Sequence, residues 1–282
     1  MFTYNLVEVP ALNEERRDRD IKVIAHPPYR VPSYSLTSRG TQYGQLVSVF
    51  IREYRNSWFL YILFGGLMPL GLLFLYKGIR GGTNPADAIF VMGGSLTSGI
   101  VLGPMTMLMT RVGWWRQMRA FDYWAALPLP KVVFVLAVVT VSLLFSLPGL
   151  LLVYLLGGPL IGLSAVGLLM LLPVMPLAAL SLAGLGAFLG LYAGDAQTAN
   201  QLANGIIGVV VFLSPMLIPL ERLPLPLRVI AQLNPATYAA DAFRAVLSGD
   251  LTIALAIDVL ALSAFAAAFL LLVHYKLDWR ST

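Results

Sequence analysis

The sequence predicts an all-α membrane protein built on six transmembrane helices. Of its 282 residues, 58% are hydrophobic and only 12% are charged, about half the roughly 25% charge of an ordinary soluble domain. Six apolar runs have about the length, near 20 helical residues, needed to cross the hydrocarbon core of a bilayer. The basic residues are scattered or sit beside those runs instead of clustering on one soluble face. The net charge of +5 therefore reads as membrane topology and implies no nucleic-acid partner. The chain has no cysteine, which removes disulfide frameworks, thiolate metal sites and cysteine nucleophiles from consideration.

Residues 1–39 hold Glu14–Asp20 (EERRDRD) and the proline-bearing His26–Ser33 with no sustained apolar period, and read as a cytoplasmic, partly disordered arm. No signal-peptide pattern opens it, and mixed-sign charge runs of this kind are usually solvated. From Gly40 to Asn56, Tyr43, Leu46, Val47, Phe50, Ile51 and Tyr54 recur at helical spacing, while Gln42, Gln45, Arg52, Glu53 and Arg55 take the other side. That is an amphipathic helix leading directly into a span, and it is expected to lie in the inner interface.

The remaining residues 57–282 form the membrane domain, with spans at about 57–76, 88–109, 132–156, 163–192, 202–220 and 251–273. Six crossings put both termini on one side. With the termini inside, eight Lys/Arg precede the first span, four lie in Arg111–Lys131 and two follow the last, fourteen of the nineteen. Both termini are accordingly expected in the cytoplasm, in a multi-pass protein of the plasma (inner) membrane. Gly99 and Gly103, and Gly186, Gly190 and Gly194, have the four-residue spacing that lets helix backbones approach closely, read as intramolecular packing.

Between the second and third spans lies a basic, aromatic island, Thr110–Lys131 (TRVGWWRQMRAFDYWAALPLPK). Its composition suits a short cationic helix at a membrane surface. It serves either as a headgroup anchor obeying the positive-inside tendency or as a docking helix gripped by a soluble partner.

The segment Ser214–Asp250 is too long for a tight turn and too apolar for a free loop. Asn234 and Pro235 supply an N-cap and a first-turn proline, Asp241 and Arg244 can pair at i, i+3, and Gly249 stops the helix. With Leu225–Leu233 ahead of it, this predicts a helical hairpin re-entering the outer leaflet, covered by protein because exposed non-spanning backbone is not tolerated there. Asp258 is the one acid well inside a span, a functional candidate by default, though a structural or interfacial role suits its place near the outer end. His274 reads as an interface residue.

The chain carries no G-x-x-x-x-G-K-[ST] phosphate loop and no H-E-x-x-H. Gly93–Leu96 (GGSL) has the form of an intramembrane serine nucleophile but has no general base beside it. An ATP-independent membrane enzyme or scaffold is the alternative reading.

The order of parts resembles the ABC-2 type exporter permease family. The most specific stretch is SPMLIPLERLPLPLRVIAQLNPATYAADAFR, in which Ser214, Pro215, Leu233, Asn234, Pro235, Thr237, Tyr238 and Arg244 follow the family's pattern. The resemblance implies a transport subunit, not an enzyme, that dimerises with a second copy or a similar permease. Two copies of a separate ABC-type ATPase would dock from the cytoplasm. No cofactor is implied on this chain, with ATP and Mg held by the partner ATPase. Membrane lipid is the other partner.

The resemblance assigns Val112–Leu127 to the coupling helix, with Arg111, Trp114, Trp115, Arg116, Met118, Arg119, Phe121, Asp122 and Tyr123 as candidate ATPase-coupling residues. It assigns Gly40–Asn56 to the interface helix, with Phe50, Arg52, Glu53, Tyr54 and Arg55. In the outer hairpin it singles out Asn234, Pro235, Tyr238 and Arg244, and Asp241 joins the candidates as the partner of Arg244. The docking reading of the basic island is then the stronger one, and the cargo is expected to be amphipathic, drug-like or lipid-linked.

Overall fold

The computed structural model describes residues 39–55, 58–80, 85–126, 130–160, 165–216 and 219–276. The arm at 1–38, Asn56, Pro128 and the first two residues of the expected fourth span lie outside the described residues. Those described are almost wholly helical, with no strand among them. Helix α1 is Arg39–Arg55; the first span runs through α2 (Trp58–Ile62), a π turn at Leu63–Leu67 and α3 (Met68–Arg80). The second runs through α4 (Pro85–Ile100), a π turn at Val101–Met105 and α5 (Thr106–Gln117). A six-residue helix α6 (Ala120–Ala125) leads to α7 (Lys131–Leu160) and α8 (Ala165–Gly190), then α9 (Ala196–Phe212). A 3-10 turn, α10 (Leu225–Gln232), α11 (Pro235–Ser248) and α12 (Ile253–Lys276) complete the chain.

Among the described residues, five helices are long and apolar enough to cross a membrane: Trp58–Leu75, Ala86–Gln117, Lys131–Pro159, Leu169–Gly190 and Ile253–Lys276. Helix α9, expected as a span at 202–220, begins earlier and stops at Phe212, before the Ser214–Pro215 turn. Its 17 residues rise only about 26 Å. The second span does not end at Met109. It continues without a break to Gln117, 32 residues in all, so the first eight residues of the basic island are a prolongation of a span instead of a separate surface helix. This helix is also the most enclosed, with 78% of its apolar window buried against 17% for α12; it is the axis of the bundle.

The π turn of the second span contains Pro104, which lacks the N–H that an α-helix would use. The chain widens there into the π turn: the Thr106 amide donates to the Val101 carbonyl, and the Thr106 hydroxyl donates to the same oxygen at 2.6 Å. A π-bulge at a proline keeps backbone groups satisfied that the bilayer could not.

Two apolar clusters fill the interior. One gathers Met92, Leu96, Ile100, Leu150, Leu171, Leu182 and Phe243 around α4, α7, α8 and α11; the other gathers Phe50, Tyr54, Trp115, Phe121, Phe134 and Val138 around α1, α5, α6 and α7. In lipid, burying such side chains gains little transfer free energy, so closeness of packing carries the association. The expected small-residue contacts are found at Gly186 and Gly190, where α8 lies against the backbone carbonyls of Met105 and Met109. Gly99 meets the Gly65 carbonyl, whereas Gly194 has open space around it. Gly186→Ala, whose methyl would collide with the Met105 carbonyl, is expected to destabilise the purified protein by about 1–3 kcal/mol. Gly205→Ala, with nothing within 4 Å, is expected to be neutral or stabilising; unfolding in mild detergent distinguishes the two.

Candidate functional site

The candidates on α1 and in the basic island converge on Trp115. This indole, 2% exposed, projects from the last turns of the second span into a cage of rings. Phe50 of α1 stands 5.5 Å away between centroids, Trp124 of α6 4.8 Å, Phe134 of α7 5.7 Å and Phe121 of α6 6.4 Å. Most of these pairs are tilted or edge-on, the geometry that ring quadrupoles favour, each adding about 0.5–1.5 kcal/mol beyond its buried area.

Phe121 and Trp124 reach Trp115 only because the chain doubles back between α5 and α6. The reversal uses Met118 and Arg119, and Arg119 takes a left-handed backbone with φ 51°, which costs a non-glycine residue roughly 1–2 kcal/mol. The sequence reading of one continuous coupling helix over 112–127 is thereby corrected. No glycine or proline marks the break; ring burial imposes it. Among the expected coupling residues, Trp115 and Phe121 are interior. Trp114, Arg116, Met118, Arg119 and Tyr123 are exposed on the rim, with Tyr123 68% and Met118 55% accessible. Asp122 is half-buried and its amide donates to the Arg119 carbonyl at 3.1 Å.

Helix α1 lies along α7 with its apolar stripe inward, as its periodicity requires. Phe50 and Tyr54 are each 1% exposed, and the Tyr43 hydroxyl donates to Thr140 Oγ1 at 2.9 Å. Arg52 and Arg55 face outward. Glu53 pairs with Arg111 at 2.6 Å, and the Arg111 guanidinium also lies over the rings of Tyr54 at 5.0 Å and Trp114 at 5.4 Å. Burial pushes the Tyr54 phenol above its ordinary pKa, with the Arg111 charge acting in the opposite sense.

Sequence reasoning missed how the second span grips α9. The Arg116 guanidinium donates to the Leu191 carbonyl, and Gln117 Oε1 accepts from the Ala196 amide at 3.1 Å. Asp195 caps α9, accepting from the Thr198 amide at 2.7 Å and from the Thr198 hydroxyl at 3.0 Å. Those bonds hold its carboxyl below the ordinary carboxylate range, so the ionised cap persists above that range and is lost only as pH falls through the lowered value. Trp124 and Phe134 were also missed. The i, i+3 spacing of Phe121 and Trp124 was the available signal for the first, and nothing local marks the second.

The other candidates sit on the hairpin. Asn234 Oδ1 accepts from the Ala236 amide at 3.0 Å, as a cap should, while Nδ2 donates to the Val210 carbonyl of α9 at 3.0 Å. Pro235 opens α11, and the Tyr238 hydroxyl donates to the Gln232 carbonyl at 2.9 Å, closing the hairpin. Nine of the 14 residues of α11 are buried, against α4, α8 and α12, whereas α10 buries only Ala231.

Arg244 pairs with Asp241 at 2.8 Å, donates through Nε to the Phe90 carbonyl at 3.2 Å and through Nη2 to the Pro215 carbonyl, and stacks 3.7 Å from the Phe90 ring centroid. The expected Asp241–Arg244 pair is therefore one arm of a clamp joining α11, α4 and the turn after α9. Asp258 is half-buried on α12, within electrostatic reach of Asp241.

The family model of the ABC-2 type transporter matches residues 41–248, well over half of the chain, and the protein belongs to that family. It is a multi-pass membrane protein and a transmembrane transporter subunit, of a family that works with an ABC ATPase partner. A search of curated proteins finds no match.

Because a lysine ammonium cannot reproduce the planar fork and ring stacking of Arg244, Arg244→Lys is expected to lower thermal stability nearly as much as Arg244→Ala. Full retention of stability by the lysine variant would show that charge alone is sufficient.

Proposed function

We propose that this chain is the permease subunit of an ABC exporter. A separate cytoplasmic ATPase, present in two copies and holding the ATP and Mg, docks on the rim formed by Trp114, Arg116, Met118, Arg119 and Tyr123. The observation that carries this reading is the reversal at Met118–Arg119. A residue held at φ 51° in an exposed turn is the kind of local strain that persists when surrounding structure over-determines it and that gathers at contact sites. Here four cationic or aromatic side chains, Trp114, Arg116, Arg119 and Tyr123, stand outward above the buried ring cluster.

Exposed Trp, Tyr, Met and Arg are the residues enriched at protein interfaces. Below the rim, the cluster joins α1, α5, α6 and α7, so a push on the rim is delivered to several helices at once. A second copy of this chain, or a similar permease, completes the assembly. The cargo is an amphipathic molecule, drug-like or lipid-linked, taken from the cytoplasm or inner leaflet, which suits spans almost free of charge. The fourteen-to-five bias of basic residues supports a plasma-membrane protein with α9 as a further crossing and both termini in the cytoplasm.

Co-purification with a candidate ABC ATPase, followed by hydrolysis in lipid, tests the docking reading. Arg119→Glu combined with Tyr123→Ala is expected to reduce complex yield and stimulated hydrolysis about tenfold or more without altering the melting of the permease alone. Unchanged yield and hydrolysis would overturn it. Phe121→Ala is unsuitable for this purpose, because Phe121 is buried and its loss is expected to disturb the cluster itself.

A further inference from the structure

The first and second spans lose their regular winding at one level. The first widens into a π turn at Leu63–Leu67 and the second at Val101–Met105, and the two turns pack against each other and against α7. Such turns are rare in helices and recur at functional sites.

Glycines make the contact. A methyl added at Gly99 would stand 2.7 Å from the Gly65 carbonyl oxygen, one at Gly66 3.0 Å from the Gly149 Cα, and one at Gly149 2.9 Å from the Gly66 nitrogen. Three backbones therefore touch with no side chain between them. Each helix also carries a proline close by, Pro69 after Gly66, Pro104 after Gly103 and Pro148 directly before Gly149. A proline withholds the N–H that would bond the carbonyl four residues back, Gly65 for Pro69, Ile100 for Pro104 and Leu144 for Pro148. Helices bend most readily at such positions.

The junction also lies where one apolar cluster gives way to the other. Along the second span, the buried residues of the Phe243 cluster end at Met105 and those of the ring cluster begin at Leu108. Along α7, those of the ring cluster end at Val141 and those of the Phe243 cluster begin at Leu150. Within each cluster side chains interlock and hold the helices in register. At the junction that interlocking is missing, so the backbones can rock about their points of contact. Helix α8 crosses the level unbroken and packs on both clusters, which makes it the post about which a tilt would turn.

We infer that this junction is a hinge, at which the first span, the second span and α7 bend together and tilt the ring-cluster block against the block fastened by Arg244. The inference rests on the transporter reading for its purpose: a push on the rim becomes, at this level, a tilt of the spans beyond it.

The test uses the full chain, without ATPase, in phosphatidylcholine nanodiscs. Spin labels are placed on cysteine pairs in the naturally cysteine-free sequence, and distances are read by pulsed electron paramagnetic resonance. Tyr123→Cys paired with Leu75→Cys, and paired with Leu155→Cys, straddles the junction, whereas Tyr123→Cys with Val49→Cys lies within the ring-cluster block. All four side chains are exposed. Each straddling pair is expected to give a distance distribution about twice as broad as the pair within the block. Pro69→Ala combined with Pro148→Ala restores two N–H groups and leaves the π turn of the second span untouched. It is expected to narrow the straddling distributions to the width of the within-block pair, with a melting temperature that is unchanged or raised. If the double variant does not fold, Pro148→Ala alone is read on the Tyr123–Leu155 pair.

Straddling distributions as narrow as the within-block pair, or a breadth that survives in the folded proline variants, overturn the hinge. Because no ATPase is present, either failure leaves the docking reading to its own experiment.

Discussion

The packing of four rings around Trp115 is the constraint on which the architecture at this end of the bundle depends. Trp115 stands near the end of the most enclosed helix of the bundle, and its partners come from α1, α6 and α7. For Phe121 and Trp124 to reach it, the chain must reverse within two residues, and Arg119 takes the left-handed backbone that makes this possible. The reversal decides which side chains of a uniformly aromatic and basic stretch become interior and which become surface. Trp115 and Phe121 stabilise the junction of four helices, while Trp114, Met118 and Tyr123 are left outside. The chemistry of the rim is thus a by-product of satisfying the core beneath it.

The same helix is fastened at its other end by a different kind of contact. Arg244 reaches the Phe90 carbonyl near the start of the second span, and Arg116 and Gln117 reach across to Leu191 and Ala196 at its finish. Helix α9 is likewise held at both ends, by Gln117 at its first residue and by the Asn234 amide at Val210. The second span and α9 are therefore bonded directly where Gln117 meets Ala196, and they pack through small residues such as Gly113, whose added methyl would strike Ala199. Motion of either helix must be accompanied by motion of the other.

Much of this was legible in the sequence, for physical reasons that can be named. The stripe of α1 is periodic, and a periodic stripe buries as one face. Asn234, Pro235 and Gly249 carry cap and stop chemistry that acts within a few residues, and Asp241 and Arg244 are neighbours on any helix. Gly186 and Gly190 announced a close crossing.

What was not legible depended on tertiary contacts. The residues from Arg111 to Gln117 mix basic and aromatic side chains with Gly113, a poor helix former, so composition could not reveal that the span continues through them. Trp114 and Trp115 are adjacent and chemically identical, yet one faces out and the other in, and only the positions of Phe50 and Phe134 decide between them. The start of α9 was set too late because Gln197, Asn200, Gln201 and Asn204 depress its hydropathy, although they lie on a single face.

The absence of native cysteine allows the central claim, that the rim between α5 and α6 is the ATPase contact, to be tested by site-directed crosslinking. Single cysteines at Met118, Tyr123 and Phe121, each combined with a cysteine-free permease background and a photoreactive thiol reagent, would be compared in membranes containing the ATPase. The account predicts ATPase adducts from positions 118 and 123 and little or none from 121. A strong adduct from 121 with none from 118 or 123 would contradict it.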